Sequence, residues 1–210
     1  MKLLHIDSSI LGEASASRQL SAAIVQAVTG AMPGVDVIRR DLDADPIPHL
    51  DSTLLPAVRP DIAANAAAHV TAEKGSAVVD EFLAADIVVI GAPMYNFTIA
   101  SQLKAWLDRI IIAGKTFGYT EAGAKGLAGD KKVIIASSRG GLYGPGTPQA
   151  ANDFQETYLR TILGFIGIED IHIIRAEGLA YGPEQREAAI RAALASVSSV
   201  VAGLVPAKAA

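Results

Sequence analysis

Five short apolar segments alternate with five segments of helical periodicity along this chain of 210 residues. A strand inside a parallel sheet is buried on both faces and reads as a short apolar run, and a helix usually connects it to the next parallel strand. The predicted strands are 2–7, 35–39, 86–91, 132–137 and 171–176, and the predicted helices are 18–29, 61–83, 101–113, 149–163 and 183–202. The alternation predicts an α/β fold, a doubly wound five-stranded parallel sheet with helices on both faces.

Two long connections interrupt this alternation without dividing the chain. Residues 41–60 contain four prolines and are predicted to form an irregular excursion, and residues 114–130 are predicted to form a glycine-rich connection. A chain of this length suits one domain. We therefore predict a single domain over residues 1–205 and a short C-terminal tail at residues 206–210.

Composition excludes several classes of protein. The chain has no cysteine, which excludes a disulfide framework, a thiolate nucleophile and a cysteine-ligated metal site. A net charge of −4 gives no electrostatic reason to expect a nucleic-acid or membrane partner.

The N-terminus does not read as a signal peptide, and no apolar run reaches the length of a membrane helix, about 18 residues. We therefore predict a cytoplasmic protein. The histidines are not spaced as ligand pairs and predict no metal site: His5, His49, His69 and His172.

The loop after the first predicted strand is rich in hydroxyl groups. Ser8, Ser9, Ser15 and Ser17 fall within ten residues, just before a predicted helix. A helix N-terminus presents free N–H groups and a partial positive charge, which suit a phosphate. The alternative is that Ser15 or Ser17 only caps the helix. Because four serines exceed what a cap needs, we favour a phosphate site.

Two common nucleotide-binding motifs are absent. Gly114-Lys115-Thr116 ends like a P-loop, but Arg109 stands where the motif needs its first glycine, and the segment follows a helix rather than a strand. Gly144-Pro145-Gly146 lacks the third glycine of a dinucleotide fingerprint. A mononucleotide therefore fits better than a dinucleotide held in the Rossmann manner.

The loop after the third predicted strand offers surface for an aromatic ring. Pro93 is expected to bend the chain away from the sheet, and Met94, Tyr95 and Phe97 supply soft or flat apolar surface. Asn96 can donate and accept hydrogen bonds. The alternative is that the two aromatic residues belong to the core beneath a loop.

The loop after the fourth predicted strand suits the edge of such a ring. Gly140 and Gly141 allow the main chain to approach a ligand closely, next to Ser138 and Arg139. Arg139 is expected either to reach a phosphate or to face solvent. The alternative is a flexible surface loop. A phosphate end, a ring face and a ring edge that accepts main-chain hydrogen bonds together describe FMN.

In these loops and in further segments the chain resembles a known family, the FMN-dependent NADH:quinone oxidoreductases, also called azoreductases, which have a flavodoxin-like fold. The matching segments run in order across nearly the whole chain, and each is weak alone but specific in combination. They are Ser8–Leu11 with Ser15 and Ser17, Asp45–Pro48, Ala92–Phe97, Gln102–Lys104, Phe117–Glu121, Ser138–Gly141, Gly164–Gly167 and Ala176–Gly178.

The resemblance implies a cofactor site and an assembly. It implies that Ser9, Ser15, Ala16 and Ser17 hold the FMN phosphate, that Met94, Tyr95, Asn96 and Phe97 contact the isoalloxazine ring, and that Ser138, Arg139, Gly140 and Gly141 bind its pyrimidine edge. Family members are homodimers with active sites at the interface. Tyr119 and Phe165 match aromatic positions near the substrate, in their own or the partner subunit.

The resemblance also implies an activity, and the sequence departs from the family at two positions. The expected reaction passes hydride from NADH or NADPH through flavin N5 to quinones and azo compounds by a ping-pong mechanism, with the chemistry carried by FMN rather than by a protein base. Ala16 replaces a residue that is often polar in relatives. Tyr143 replaces a histidine of some relatives, and would stabilise charge at the flavin N1–O2 edge differently.

Two other functions use the same site. One is a non-enzymatic electron carrier of the flavodoxin type, and the other is a regulatory nucleotide-binding module without turnover. Carriers tend to be strongly acidic and compact, whereas this chain carries only −4 and has two long connections. The sequence therefore favours the reductase.

Overall fold

The computed structural model describes residues 1–52 and 77–204. The strands within these ranges are β1 (Lys2–Asp7), β2 (Asp36–Asp41), β3 (Ile87–Tyr95), β4 (Thr98–Ile99), β5 (Phe117–Thr120), β6 (Gly123–Gly126), β7 (Lys132–Ser138) and β8 (Ile171–Ala176). Five of them form a parallel sheet in the order β2-β1-β3-β7-β8, and β4 pairs antiparallel with β3. This is the strand order of a flavodoxin-like doubly wound sheet, so the predicted fold class is confirmed.

Helices cover both faces of the sheet. They are α1 (Ala16–Ala31), α2 (residues 77–84), α3 (Ser101–Ile110), α4 (Phe154–Phe165) and α5 (Pro183–Leu204). One hydrophobic cluster joins the sheet to α1 and α5, and a second joins it to α2, α3 and α4. Two helical layers therefore enclose one sheet, as right-handed crossovers on either side of β1 require.

The central strand β3 shows why these sequences form strands. Ile87 and Val89 pack into the cluster with α1 and α5, whereas Val88 and Ile90 pack into the cluster with the other helices. Successive side chains of a strand point to opposite faces, so a strand covered on both faces must be apolar at every position. All four side chains are buried.

The last helix belongs to this packed structure. Ala193, Val197 and Val201 of α5 recur every four residues and are buried against the sheet and α1. By length and composition α5 is also the one described helix that could cross a membrane, with a mean hydropathy of 1.4. Its apolar character comes from alanine and valine spread over 22 residues, so it does not form the unbroken apolar run that the sequence analysis looked for.

Several expected boundaries differ from the structure. The connection at 114–130 contains the antiparallel hairpin β5–β6, which its short, exposed, glycine-containing strands did not indicate. Trp106 is fully buried in the core, with its ring edge-on to Phe82 at 5.8 Å. Residues 53–76, which hold much of the predicted excursion and helix, and the predicted tail lie outside the described residues. The single-domain assignment stays a prediction.

Candidate functional site

Four strand ends lie side by side at the carboxyl edge of the sheet. The pairs Asp7–Gly91, Pro93–Ser138 and Ser138–Ala176 place the ends of β1, β3, β7 and β8 next to one another. The loops after these strands enclose a cavity of about 180 Å³. The predicted residues that line it are Ser9, Ser15, Ala16, Met94, Tyr95, Ser138, Arg139 and Gly140; the lining residues that were not predicted are Leu11, Pro93, Leu179, Ala180 and Arg186.

Hydroxyl and N–H groups converge where α1 begins. Ser15 is the N-cap of α1, and its hydroxyl accepts a hydrogen bond from the N–H of Arg18. The Ser17 hydroxyl lies 3.1 Å from the Ser15 hydroxyl, in a buried position behind it that does not line the cavity. The N–H groups of Ala16 and Ser17 donate to no described residue. Capping of α1 and free N–H donors of the kind that suit an anion therefore coexist here, and the side chain missing at Ala16 leaves its N–H in place.

Arg18 fixes the shape of this loop. Its Nε and Nη2 donate to the carbonyl oxygen of Ser9 at 3.1 and 2.8 Å. The same guanidinium binds both carboxylate oxygens of Asp41, at 2.6 and 2.7 Å, and this lowers the pKa of Asp41 to about 2. Arg18 is therefore committed to the protein rather than to a ligand. Sequence reasoning missed this pair because 23 residues separate its members and neither belongs to a motif.

A buried carboxylate supports the site from behind. Asp7 is at the end of β1 and accepts hydrogen bonds from Ser21 at 2.8 Å and Arg39 at 3.1 Å, with His5 at 3.4 Å. Burial by itself raises the pKa of Asp7, but these partners more than offset it and the pKa is lowered. A Cβ atom at Gly91 would lie 2.9 Å from the Asp7 carboxylate, so glycine is required where β3 passes it.

Pro93 was expected to bend the chain away from the sheet, and the structure shows that it does not. β3 continues through Pro93 to Tyr95, and Pro93 pairs with Ser138 of β7. Pairing with β1 stops at Gly91, so β3 has one open side from there on, where a proline without an N–H is tolerated.

The bend lies at Asn96 and Phe97. Both residues have positive φ, 48° and 69°, and they form a two-residue hairpin turn between β3 and β4. Such turns need φ > 0 at both central positions and usually contain glycine there. Because neither Asn96 nor Phe97 is glycine, their backbone carries strain of the kind that concentrates at binding sites. Their N–H groups donate to no described residue. The turn therefore offers main-chain donors beside the exposed Phe97 ring, which is 46% accessible.

Tyr95 joins the ring side of the cavity to the serine loop. Its hydroxyl lies 3.2 Å from the Ser9 hydroxyl and accepts a hydrogen bond of 3.2 Å from the N–H of Ile10. The Tyr95 side chain is therefore a bridge between the first and third loops, not only an apolar surface.

The paired glycines are held by the segment after β8. The N–H groups of Gly178 and Ala180 donate to the carbonyl oxygens of Gly141 and Gly140, at 2.9 and 3.0 Å. The N–H groups of Gly140 and Gly141 donate to no residue in the described ranges. A fixed loop with unused main-chain donors is suited to a carbonyl and imide edge. The role of the 178–180 segment was not predicted, since its own sequence carries no binding motif.

Arg139 does not face solvent, which corrects one of the two expectations. Its side chain is fully buried and pairs with Asp153 at 2.9 Å, with Glu177 at 3.4 Å and with Glu156. Burial raises the pKa of Glu156, but the hydrogen bonds of Arg175 and the charge of Arg139 more than offset this and the pKa is lowered. Arg139 therefore anchors a buried charge cluster behind the paired glycines.

Tyr143 lies beside the aromatic turn. Its N–H donates to Glu177 at 2.8 Å, and its ring packs edge-on against Phe97 with 5.9 Å between centroids. The ring does not line the cavity described above but a neighbouring one of about 240 Å³, next to Asp153 and Arg175. Tyr143 therefore lies near the predicted ring edge, and the hydrogen bond from its main-chain N–H to Glu177 holds it there.

Tyr119 and Phe165 are not brought to the cavity within one chain. They lie on the β5–β6 hairpin and at the end of α4, and both contact Phe117, with 5.6 and 4.8 Å between ring centroids. Tyr119 is 78% accessible and Phe165 is 39% accessible. Among the residues that the structure describes, no group of three His, Asp or Glu side chains is arranged to hold a metal ion.

The cavity fits FMN by the chemistry of its donors. Hydroxyls and a helix N-terminus line one end. At the other, Gly140 lines the cavity with a free N–H group, and the free N–H groups of Gly141 and of the Asn96–Phe97 turn directly follow lining residues in the chain. The first suits a phosphate, and the second suits the nitrogen and oxygen acceptors of a flavin ring.

Comparison with known proteins agrees with this geometry. A family model described as "Flavodoxin-like fold" matches residues 1–201. The chain is 55% identical to an FMN-dependent NADH:quinone oxidoreductase of Methylorubrum extorquens over 96% of this chain and 100% of the relative. It is 60% identical to FMN-dependent NADH:quinone oxidoreductase 2 of Pseudomonas aeruginosa over 92% of this chain and 95% of the relative.

Solved structures agree as well. An azoreductase from Bacillus anthracis str. Sterne is 28% identical and superposes with a TM-score of 0.87, covering 96% of this chain and 98% of that one. An FMN-dependent NADH-azoreductase from Bacillus anthracis str. Ames Ancestor, solved in complex with FMN, has a TM-score of 0.87 at 26% identity over 97% of this chain and 98% of that one. The chain therefore belongs to the flavodoxin-like family of FMN-dependent NADH:quinone oxidoreductases and azoreductases.

Proposed function

We propose that this protein is an FMN-dependent reductase that passes two electrons from NADH or NADPH to quinones and azo compounds. The observation that carries the proposal is the convergence of three strand-end loops on one cavity with phosphate donors at one end and flavin-edge donors at the other. The names of two similar relatives, which specify FMN, NADH and quinone, support it.

Each loop has a distinct task in this proposal. When bound, FMN accepts hydride from the nicotinamide at N5 and returns two electrons to the acceptor. Ser9, Ser15 and the first N–H groups of α1 hold the phosphate. The N–H groups of the Asn96–Phe97 turn and of Gly140 donate to the polar atoms of the ring, which fixes its orientation and favours negative charge on it.

The proposed turnover is ping-pong and uses no protein base. The described lining residues include no carboxylate and no imidazole, and the Tyr95 hydroxyl is hydrogen-bonded to the serine loop, so no side chain is placed as a general acid or base. Protons for the reduced acceptor would come from water at the open side. In this proposal NADH and the acceptor use the same exposed face of the flavin in turn, so NADH must leave before the quinone enters.

Steady-state kinetics test this proposal. We expect FMN-loaded protein to oxidise NADH with a simple benzoquinone, without any partner protein, and to give parallel double-reciprocal plots when both concentrations are varied. Free FMN at the same concentration is the control. NADH oxidation that requires an added partner protein would indicate an electron carrier, and none under any condition would indicate a regulatory module. Repeating the measurement with NADPH gives the donor preference.

We further propose that the protein is a cytoplasmic homodimer whose interface includes the aromatic cluster of Phe117, Tyr119 and Phe165. Large apolar side chains exposed together commonly mark a protein interface. Tyr119 and Phe165 are accessible at the tip of a hairpin and at a helix end, where a second subunit can cover them. In this assembly Tyr119 reaches the substrate side of the partner's cavity, which explains why it is absent from its own.

Tyr119→Glu tests the dimer. The carboxylate would be buried and unpaired at the interface, so we expect the dimer dissociation constant to rise at least about tenfold. Light scattering after size-exclusion chromatography measures the mass at several concentrations. Leu194→Glu, at a position on α5 that is 38% accessible, is the matched control and should leave the mass unchanged. A monomeric wild-type protein, or a Tyr119→Glu variant that dimerises normally, would contradict the proposal.

A further inference from the structure

Arg186 brings a positive charge to the phosphate end of the cavity. It lies in the first turns of α5 and lines the cavity together with Ser15 and Ala16. Its Nη2 donates to the carbonyl oxygen of Ala14 at 2.6 Å. Ala14 directly precedes the N-cap of α1, so the guanidinium is fixed beside the entrance of the helix whose N–H groups are free.

The other two arginines near this cavity are already neutralised. Arg18 is bound to Asp41 through two hydrogen bonds, and Arg139 is surrounded by three carboxylates. Arg186, by contrast, forms no ion pair with any residue in the described ranges. A guanidinium has five N–H donors, and the bond to Ala14 uses one of them. The positive charge of Arg186 is therefore not compensated by any described residue, and most of its N–H donors are unused.

The remaining phosphate donors carry no formal charge. The serine hydroxyls are neutral, and the N-terminus of a helix is equivalent to only about half a positive charge. A phosphate monoester carries close to two negative charges near neutral pH. Hydrogen bonds from a cation to such a group are roughly twice as strong as those between neutral partners. A cation at this position would balance much of the charge that the loop leaves uncompensated.

We propose that Arg186 binds the FMN phosphate, so that the last helix closes the cofactor site beside the N-terminus of α1. The proposal rests on FMN as the ligand of this cavity. It assigns a second role to the segment after β8. Its first residues hold the paired glycines through Gly178 and Ala180, and its continuation into α5 delivers Arg186 to the other end of the cavity. One segment thereby contacts both ends of the ligand.

Binding of two flavins to protein stripped of cofactor tests this role. FMN and riboflavin share the ring and the ribityl chain, and only FMN carries the phosphate. We expect Arg186→Gln to weaken FMN binding at least about tenfold and to leave riboflavin binding unchanged, because glutamine is polar but has no charge, and riboflavin has no phosphate. Arg186→Lys should recover part of the loss. The dissociation constants follow from quenching of flavin fluorescence.

Arg191→Gln is the matched control. Arg191 lies on the same helix, is 69% accessible and pairs with Glu187 at 3.5 Å. Its replacement should change the affinity for neither flavin. The dependence of FMN binding on salt should be shallower in Arg186→Gln than in the wild type. Equal FMN affinity in Arg186→Gln and wild type would overturn the proposal, as would a parallel loss of FMN and riboflavin, which indicates a role in loop shape. If the wild type binds neither flavin, the FMN assignment fails, and this inference with it.

Discussion

Replacing Ser17 with aspartate will expel FMN, weakening its binding by roughly 100-fold or more, because two like charges a few ångströms apart repel strongly in a site shielded from water. The Ser17 hydroxyl lies 3.1 Å from the Ser15 hydroxyl, directly behind the surface where the phosphate is expected. A carboxylate there places a negative charge next to the phosphate and also competes for the free N–H groups of α1. Flavin content after purification and titration of FMN into stripped protein measure the effect.

The aspartate should not prevent folding. Position 17 lies in the first turn of α1, where a negative side chain is favourable for the helix. Riboflavin, which lacks the phosphate, should therefore bind the variant with close to wild-type affinity. Ser17→Ala, which removes one hydroxyl without adding charge, should weaken FMN only by about 3- to 10-fold. Ser198→Asp, an exposed change on α5, controls for net charge. Normal flavin content in Ser17→Asp would refute this placement of the phosphate.

Replacing Arg139 with methionine will cost about 3–5 kcal/mol of unfolding free energy, since removal of one member of a buried ion cluster leaves its partners without compensation. The guanidinium is fully buried and contacts Asp153, Glu156 and Glu177. Without it, three carboxylates face one another, and only Glu156 keeps a close cation, Arg175, at 2.6 Å. Urea denaturation of flavin-free protein measures the loss, and the melting temperature should fall by roughly 10 °C or more.

A surface arginine provides the comparison. Arg191→Met removes an exposed pair with Glu187 and should change the unfolding free energy by less than about 0.5 kcal/mol. Arg139→Lys keeps a charge but not the forked geometry, so an intermediate loss is expected. If Arg139→Met unfolds at the same urea concentration as Arg191→Met, the cluster does not stabilise the protein in the way that its burial implies.

The order of elements could be predicted from the sequence because its signals are local. The strands at Lys2–Asp7 and Ile171–Ala176 have the predicted bounds, and α1 carries Leu20, Ile24 and Val28 at the spacing that buries one face of a helix. The hairpin β5–β6 escaped prediction because its strands have four residues each and expose most of them to solvent. Short exposed strands give no hydrophobic period to detect.

The site was predictable in outline for a related reason. Parallel strands bring their carboxyl ends to one edge, so loops that are about 80 and 130 residues along the chain from the first could be placed beside it from topology alone. What each side chain does there did not follow. Pro93 reads as a bend, yet it lies within a strand whose neighbour has ended, and Arg139 reads as a ligand contact, yet it is surrounded by carboxylates.

The sequence by itself therefore determined the sheet, the helical layers and which loops meet, since hydrophobic period and chain direction are properties of neighbouring residues. Only the tertiary structure decided the charge partners. Arg18 with Asp41, Arg139 with Glu177 and Arg186 with the Ala14 carbonyl join residues 23, 38 and 172 positions apart. Such pairs depend on how the crossover helices pack on the sheet. Because a charged side chain can meet any opposite charge or carbonyl, its type does not reveal which one the fold presents.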